Sequence, residues 1–552
     1  MKLENVFGAA HEHDVDVYHN EIGEIGRGKL TFGDGEWAHL DFQHSSSLGK
    51  LVEGTTYPRL IARTASGEAL TLFGFEFRGF YAYVDFIVEG EVANAFRGIH
   101  VRYSDVSEWF LARQYLKGEV GEVLTWENKP APIEADIRTG DAHFSLSTTV
   151  VSTCSHVGED HVINEHVVFA FENGGGLFDV GSVREKCRDL SSFITVLIAQ
   201  PIDIISVVLV SEDGRFHYAY FPHFKRKSPE LKKNYWTRFL IQKNALDGRW
   251  QSIFENYYRS EFRTVAWARM AGMLRYDSYW EYRVLGYISL LDGVVKKKAS
   301  GRQMEISRPQ NRIKLLEEKL GLMSESLSAT QKKDLLDTVA EIFSSRDRSF
   351  PACYRDAVQG SDARVIAAIN ISDSDFDLIK RLRNEIAHGD EISQPKTDLT
   401  RVSMIVNKVT LLLTYWAFMD FGLNTDDFLQ CLYHSHNPLT LHSDLNKVHL
   451  SRILGTADFH TVPEGRFKEI STIKGVITNS CFVRDQAGQL QFSEHYTSML
   501  KDWMAQGKSG LMKPEEIFGI DPDKVKFSAT AYLECADKHL ELFHIYVIDK
   551  AP

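Results

Sequence analysis

The sequence contains few cysteines, and they stand far apart. Its 552 residues include six cysteines, and no two have the spacing of a C-x-x-C pair. Such spacing is typical of reduced thiols and argues against a disulfide framework. Long hydrophobic runs are also missing, because the longest, residues 409–419, is far shorter than the roughly 20 residues of a membrane span. The N-terminal residues lack the apolar segment of a secretory signal. These absences predict a cytoplasmic protein without a membrane partner.

Charge is unevenly distributed along the chain. The net charge is −12, and 43% of the residues are hydrophobic, which indicates a globular protein of about three or four domains. Residues 1–224 contain 17 Lys+Arg and 33 Asp+Glu, residues 225–315 contain 20 and 8, and residues 316–552 contain 26 and 34. The acidic balance argues against nucleic-acid binding over the whole chain, whereas the single basic block could attract phosphate groups.

The N-terminal third is rich in strand patterns. The runs 57–64 and 69–78 flank a Ser-Gly-Glu turn and predict a hairpin. Aromatic and β-branched residues continue through 80–88, 98–103, 144–152 and 166–171, so residues 1–181 predict a β-rich, sandwich-like or barrel-like domain. Apolar residues then recur every three or four positions from Val183 to Leu197, which predicts an amphipathic helix. A hairpin is predicted to follow around Asp213. Residues 182–224 are therefore predicted to bridge the β-rich domain to the next.

The central part of the chain has helical periodicity. Apolar stripes from Trp280 to Val295 and from Val402 to Trp416 predict two long helices, and a third begins after Ser372 and ends at Gly389. Residues 225–430 are predicted to form an all-α bundle. Residues 431–552 predict a small α+β region, with strands near 475–483 and 540–548. The predicted fold class is thus a multidomain α+β protein.

The third helix ends with an Arg-x4-His motif formed by Arg383 and His388. Asn384 lies one turn before His388 and could orient its ring, and Arg381 lies two turns before it on the same face. Arg383 and His388 are five residues apart, so their side chains point about 140° apart on a regular helix. They can converge only if the helix unwinds near Gly389 or if a second copy supplies the missing partner. The second case predicts a composite site across a symmetric dimer interface.

These residue types suit the cleavage of RNA. An imidazole can accept a proton from a ribose 2′-hydroxyl or donate one to the leaving oxygen, while a guanidinium holds the phosphate through paired hydrogen bonds. The alternative interpretation is an ion-pair network or helix cap at the surface. The same spacing occurs at Arg138 and His143, but Gly140 marks a turn inside the β-rich region, so that copy is rejected.

The motif resembles that of the HEPN superfamily of helical ribonucleases. Residues 287–293 are similar to the opening HEPN helix, with Asp292 as its acidic residue where glutamate is commoner, and residues 26–32, 87–90 and 99–109 resemble the N-terminal domain of ApeA-type anti-phage proteins. The resemblance covers about residues 20–425. It implies an abortive-infection effector whose N-terminal domain senses phage or restrains a metal-independent endoribonuclease. Arg383, His388, Asn384 and Asp292 are the implied catalytic residues.

The resemblance also implies a substrate and partners. The expected product is a 2′,3′-cyclic phosphate on cellular RNA, with transfer RNA as one candidate, and the expected assembly is a homodimer or higher oligomer switched on by a phage product. The basic block beside the HEPN helix predicts RNA contacts, with aromatic residues 235, 236, 257, 258 and 267 available for base stacking. The alternative is that these cations are solvated helix faces. The RNA-binding candidates are Arg381, Lys296, Lys297, Lys298 and Arg302.

No cofactor or metal is predicted. Residues 23–29 match a phosphate-binding loop up to its lysine, but Leu30 stands where a magnesium ligand is needed. Cys431, His434, His436 and His442 fit no standard zinc spacing. Two other functions stay open at this point: a non-catalytic HEPN dimerisation module, and a ligand-binding β domain with a helical dimerisation tail.

Overall fold

The structure is a computed structural model. It describes residues 6–43, 50–119, 123–140, 142–223, 238–276, 279–299, 314, 316–320, 328–344, 349–389, 398–485, 488–507 and 513–549. The chain divides into two compact units, of which the first comprises Met1–Ile366, Ile371–Cys431 and Ser435–Asp444 and the second Ala367–Asn370, Leu432–His434 and Leu445–Pro552. The predicted multidomain α+β class is confirmed, since a β-rich N-terminal part is followed by helices.

The first unit contains fourteen strands among its described residues. They are β1 Ala10–His19, β2 Gly23–Gly33, β3 Glu36–Phe42, β4 Thr56–Thr64, β5 Ala69–Arg78, β6 Tyr81–Glu89, β7 Phe96–Tyr103, β8 Tyr115–Lys117, β9 Thr125–Glu127, β10 Glu134–Thr139, β11 Ala142–Val157, β12 Asp160–Asn173, β13 Ile204–Ser211 and β14 Phe216–Tyr220. Twelve of them form one sheet, and β8 and β9 form a separate hairpin.

Six strands of this sheet close on themselves. β1 pairs with β2 and β4, β2 with β3, and β4 with β5, while β6 joins β3 on one side and β5 on the other. Alternate residues are buried inside the ring, among them Leu30, Leu40, Leu72 and Val84. This period of two is the one that places every second side chain in a core.

The remaining strands extend the sheet from β6 in the order β14, β13, β7, β12, β11, β10. The β13–β14 hairpin, from the segment predicted as a bridge, thus lies within the sheet. At the far end, a side chain binds one residue of the edge strand β10: Gln251 accepts a hydrogen bond from the Asp136 backbone N–H (2.8 Å) and donates one to the Asp136 carbonyl (2.7 Å).

Helices fill most of the described chain beyond the sheet. They are α1 Val106–Leu111, α2 Val180–Ile198, α3 Trp250–Arg259, α4 Ala268–Arg275, α5 Trp280–Ala299, α6 Ala329–Ser344, α7 Phe350–Gln359, α8 Ala363–Ile369, α9 Asp373–His388, α10 Leu399–Asp420, α11 Thr425–His434, α12 Pro438–Leu441, α13 Lys447–Leu454, α14 Glu464–Thr472, α15 Glu494–Ala505 and α16 Pro514–Phe518. A π-helical turn at Arg263–Trp267 precedes α4.

Helix α2 packs the sheet against the helices of the first unit. Phe193 of α2 contacts the rings of Phe254, Tyr257 and Phe421, with centroids 4.8–5.3 Å apart. The Tyr257 hydroxyl donates to the Asp189 carbonyl (2.9 Å), and the Arg263 guanidinium forms an ion pair with the Asp189 carboxylate. The α2 helix is therefore part of the helical core, although it precedes the basic block in sequence.

This packing overturns one prediction about RNA binding. Of the five aromatic residues predicted to stack on bases, Tyr257, Tyr258 and Trp267 are 1%, 6% and 1% exposed. The other two, residues 235 and 236, lie outside the described residues. The Trp267 indole donates to the Asp420 carboxylate at 2.6 Å. The three buried rings belong to the core, because burying their apolar surface lowers the free energy of the folded state. They cannot stack on a nucleic acid.

Helix α5 is central to the bundle. It packs against α7, α9 and α10 and buries Val284, Ile288 and Leu291. By length and composition α10 could cross a membrane, but 83% of its most apolar window is buried within the protein. The helix is thus a core element of the first unit.

The second unit is a five-stranded sheet covered by helices. Its strands, β15 Asp458–Thr461, β16 Cys481–Arg484, β17 Leu490–Phe492, β18 Val525–Cys535 and β19 Lys538–Asp549, have the order β15-β18-β19-β16-β17. Alternate residues of β16 and β19 join different hydrophobic clusters, one with Phe467 of α14 and the other with Leu500 of α15. The predicted strand at 475–483 is shorter than expected, because it begins at Cys481.

Candidate functional site

Helix α9, which carries the Arg-x4-His motif, is fixed at both ends by its own sequence. The Ser372 hydroxyl accepts a hydrogen bond from the Asp375 N–H (3.1 Å), a standard N-cap contact. Gly389 ends the helix in the left-handed region, with φ of 70°, and glycine reaches this conformation without strain. Both predicted ends of the helix are confirmed.

An ion pair fastens the start of α9 to α10. The Asp375 carboxylate accepts hydrogen bonds from the Arg401 Nε (3.0 Å) and the second guanidinium nitrogen (2.7 Å). Burial raises the pKa of Asp375, but the hydrogen bonds from Arg401 and Ser372 outweigh it and hold the pKa below its usual value. Arg401 was missed by the sequence analysis. The acidic N-cap cluster gave a signal for Asp375, but nothing in the sequence identified its partner 26 residues later.

Three charged side chains meet where α9 crosses α5. The Arg383 guanidinium lies 3.8 Å from the Asp292 carboxylate, and the Lys296 ammonium lies 3.1 Å from the other oxygen of the same carboxylate. The Asp292 side chain is 16% exposed, whereas Arg383 and Lys296 are 35% and 46% exposed. The structure thus brings together three of the predicted residues, and two cations face solvent around one shielded acid.

His388 lies away from this cluster. It is the last residue of α9 and is exposed, and the helix continues regularly to that position before Gly389. The helix therefore does not unwind to bring the imidazole to Arg383. Asn384 is exposed and accepts a hydrogen bond from the Arg383 guanidinium (3.1 Å). Within the described ranges it makes no hydrogen bond to His388, so the structure does not support the predicted orienting contact.

The other predicted RNA-binding residues are dispersed. Arg381 is exposed and pairs with Glu385 at 3.6 Å. Lys297 donates to the Glu261 carbonyl (2.7 Å), and the Lys298 ammonium lies 5.6 Å from the centre of the Trp416 ring. Burial lowers the pKa of Lys298. Arg302 lies outside the described residues. Of the three consecutive lysines, only Lys296 reaches the Asp292 cluster.

The rejected motifs lie in strands. Arg138 and His143 are cross-strand neighbours in the β10–β11 hairpin, and the glycine-rich stretch that begins at Gly23 belongs to strand β2. Both rejections are confirmed, since neither segment forms the helix that its motif requires. In the part of the chain that the structure describes, no three His, Cys, Asp or Glu side chains are grouped so as to hold a metal ion.

Comparison with known proteins identifies the N-terminal part of the chain. Residues 12–257 match the family model of the ApeA N-terminal domain 1. The match contains the six-stranded ring, the sheet extension, α2 and most of α3, and it ends before α5 and α9. No curated protein and no solved structure shows significant similarity to the chain. Residues 12–257 are therefore similar to the ApeA N-terminal domain 1, and this similarity supports a defence-related protein of the ApeA type.

Proposed function

We propose that the chain is a cytoplasmic anti-phage effector whose helical bundle is a HEPN-type endoribonuclease. One observation carries the proposal: Arg383 of the Arg-x4-His motif lies against Asp292, the acidic residue of the helix that resembles the opening HEPN helix. These residues are 91 positions apart and were selected by separate patterns, yet the fold places them at one helix crossing. The defence role of the N-terminal family agrees with such an activity.

Each side chain has a distinct role in the proposed reaction. The ribose 2′-oxygen attacks the adjacent phosphorus while its proton passes to a base, and the 5′-oxygen leaves with a proton. The products are a 2′,3′-cyclic phosphate and a 5′-hydroxyl. The His388 imidazole accepts the 2′-hydroxyl proton and donates a proton to the leaving 5′-oxygen, and Arg383 holds the phosphate by paired hydrogen bonds. Asp292 is a positioning residue that orients the Arg383 guanidinium, and Lys296 adds positive charge beside it.

The geometry favours a site that is shared between two copies. Because α9 is regular up to His388, the imidazole and the Arg383 guanidinium project in different directions from the same helix. Two α9 helices related by a two-fold axis would place His388 of one copy near Arg383 of the other. The proposed active form is therefore a homodimer with two equivalent composite sites.

The test uses the full-length chain in cells, where the phage trigger is present. Cells producing the wild-type chain, His388→Ala or the control His495→Ala are infected with a panel of phages, and RNA with 5′-hydroxyl and cyclic-phosphate ends is sequenced. His495 is an exposed histidine in α15 of the second unit. We expect infection-dependent RNA ends and phage resistance with the wild type and with His495→Ala. Both should be lost with His388→Ala at equal protein abundance.

A second assay addresses the independence from metal. Protein purified from infected cells should cleave the same RNA in excess EDTA, because proton transfer and charge stabilisation by side chains suffice for this reaction. Loss of cleavage in EDTA would contradict the proposed chemistry. Phage resistance that persists in His388→Ala would favour the non-catalytic HEPN module instead.

A further inference from the structure

The region of the family match contains a pocket that the proposed ribonuclease does not use. It has a volume of about 350 Å³ and lies between the end of α1, the loop at residues 128–131 and the turn at residues 242–247. All these residues lie inside the 12–257 family match. Pockets of this size accommodate a small organic ligand.

The inner wall of the pocket is buried and aromatic. Trp109 is 1% exposed, and its indole donates to the Ile241 carbonyl at 2.8 Å. Lys243 is 3% exposed, and its ammonium lies 4.7 Å from the centre of the Phe110 ring. The same ammonium forms an ion pair with Asp247 at 2.7 Å and donates a hydrogen bond to the Ala131 carbonyl. Lys243 and Asp247 neutralise each other. They therefore fix the wall and leave its net charge unchanged.

The rim of the pocket has an excess of positive charge. Arg113 and Lys129 line it, and neither forms an ion pair or a side-chain hydrogen bond with any described residue. This is unusual for a domain in which acids outnumber bases, since residues 1–224 contain 33 Asp+Glu and 17 Lys+Arg. Two unpaired cations around a concave site attract an anion, and a guanidinium matches the oxygens of a phosphate.

Neutral hydrogen-bonding groups lie beside these cations. Asn128 and Asn244 are exposed lining residues of the pocket, and within the described ranges neither side-chain amide makes a hydrogen bond. Asn128 also has a positive φ of 53°, a left-handed conformation that turns the loop at this point. An amide offers a donor and an acceptor together, which is the pattern that the edges of nucleobases present.

We propose that this pocket binds a small phosphorylated ligand of the nucleotide class. Arg113 and Lys129 hold the phosphate, and the Asn128 and Asn244 amides contact the base. The ligand closes the gap between α1 and the turn at 242–247. That turn leads into α3, whose preceding residue Arg249 pairs with Asp427 of α11 at 2.7 Å. The Arg249–Asp427 pair therefore joins the turn beside the pocket to α11.

The experiment is isothermal titration calorimetry on the full-length chain. The probes are AMP, GMP, CMP, UMP, ATP and inorganic phosphate, and the variants are Arg113→Glu and Asn244→Leu. The control is Arg215→Glu, an exposed cation of the β13–β14 turn. We expect at least one nucleotide to bind, with affinity about tenfold or more weaker in both variants and unchanged in the control. Hydrogen exchange should also slow in residues 238–247 when that nucleotide is added.

Three results would overturn the proposal. One is the absence of binding by every nucleotide at millimolar concentration. Another is binding that neither Arg113→Glu nor Asn244→Leu weakens. The third is inorganic phosphate binding as tightly as any nucleotide, which would leave no role for a base. None of these measurements depends on RNA cleavage, so the pocket and the proposed ribonuclease can fail separately.

Discussion

At the scale of single residues, His223 is the histidine with the most strongly lowered pKa in the described part of the chain. It follows β14, and its backbone N–H donates to the Gly35 carbonyl at 3.0 Å. Burial, together with the nearby guanidinium groups of Arg275 and Arg188, lowers the pKa of His223 to about 3. A neutral imidazole is therefore part of the folded core at physiological pH.

This shift predicts how stability depends on pH. Below about pH 6.5 the unfolded chain binds a proton at His223 that the folded chain does not bind, so the free energy of unfolding falls as pH decreases toward 3. The slope from this group is roughly 1 kcal/mol per pH unit. His223→Gln should flatten the loss of stability between pH 6 and about pH 4 in denaturant melts. His156→Gln, at an exposed hairpin position, is the control, and parallel curves for wild type and His223→Gln would refute the assignment.

At the scale of elements, α9 depends on its ion pair with α10. Removing the charge in Asp375→Asn weakens the two hydrogen bonds from Arg401 in a partly buried place, and we expect a loss of about 1–3 kcal/mol in the free energy of unfolding. Asp377→Asn is a matched control on the same helix, because Asp377 is 68% exposed and its pair with Lys380 contributes little. Urea melts measure both. Equal effects of the two substitutions would contradict the role given to Asp375.

Elements with strong local patterns could be predicted from the sequence. The helix between Ser372 and Gly389 was predicted because a polar cap, an apolar stripe and a glycine all occur within 18 residues. Strands β1 to β3 were not assigned individually, since their apolar positions alternate with polar and charged residues such as His11 and His13. Their pairing with one another in the closed ring decides that segment, and such pairing is not a local property.

The candidate site was predicted only in part for the same reason. Sequence spacing identified Arg383, His388 and Asp292, and the fold places Arg383 beside Asp292. Spacing could not separate Lys296, which reaches that acid, from Lys297 and Lys298, which contact Glu261 and Trp416. Consecutive residues on a helix point about 100° apart, and only the neighbouring helices determine which one faces the site.

At the scale of the whole molecule, the chain cannot be cut just before the basic block without removing α2 from the helical core. Restraint by the N-terminal domain predicts that a chain starting near residue 225 is more toxic. Such a chain would lose Phe193 and Asp189, which pack against Tyr257 and Arg263. It would expose core surface, so its toxicity would report misfolding as much as restraint. Substitutions in the full-length chain are the better test.

Mixing two inactive variants tests the proposed shared site. If each site takes Arg383 from one copy and His388 from the other, Arg383→Ala and His388→Ala are inactive alone but form one intact site in each heterodimer. Co-production in equal amounts makes half of the dimers heterodimers, so we expect roughly a quarter of wild-type RNA cleavage. Sites contained within single copies would give no recovery. As a control, two copies of His388→Ala that carry different tags are produced together, and this mixture should stay inactive.

The contact between Gln251 and strand β10 gives the order of synthesis a physical consequence. The N-terminal sheet leaves the ribosome before residue 251, so for a time its terminal strand exposes backbone groups that no other part of the chain covers. Nascent chains on one message hold many such edges close together, and bare edges invite pairing between molecules. Slow translation between residues 140 and 250 should therefore promote aggregation, because the Asp136 backbone groups stay unbonded until Gln251 is made.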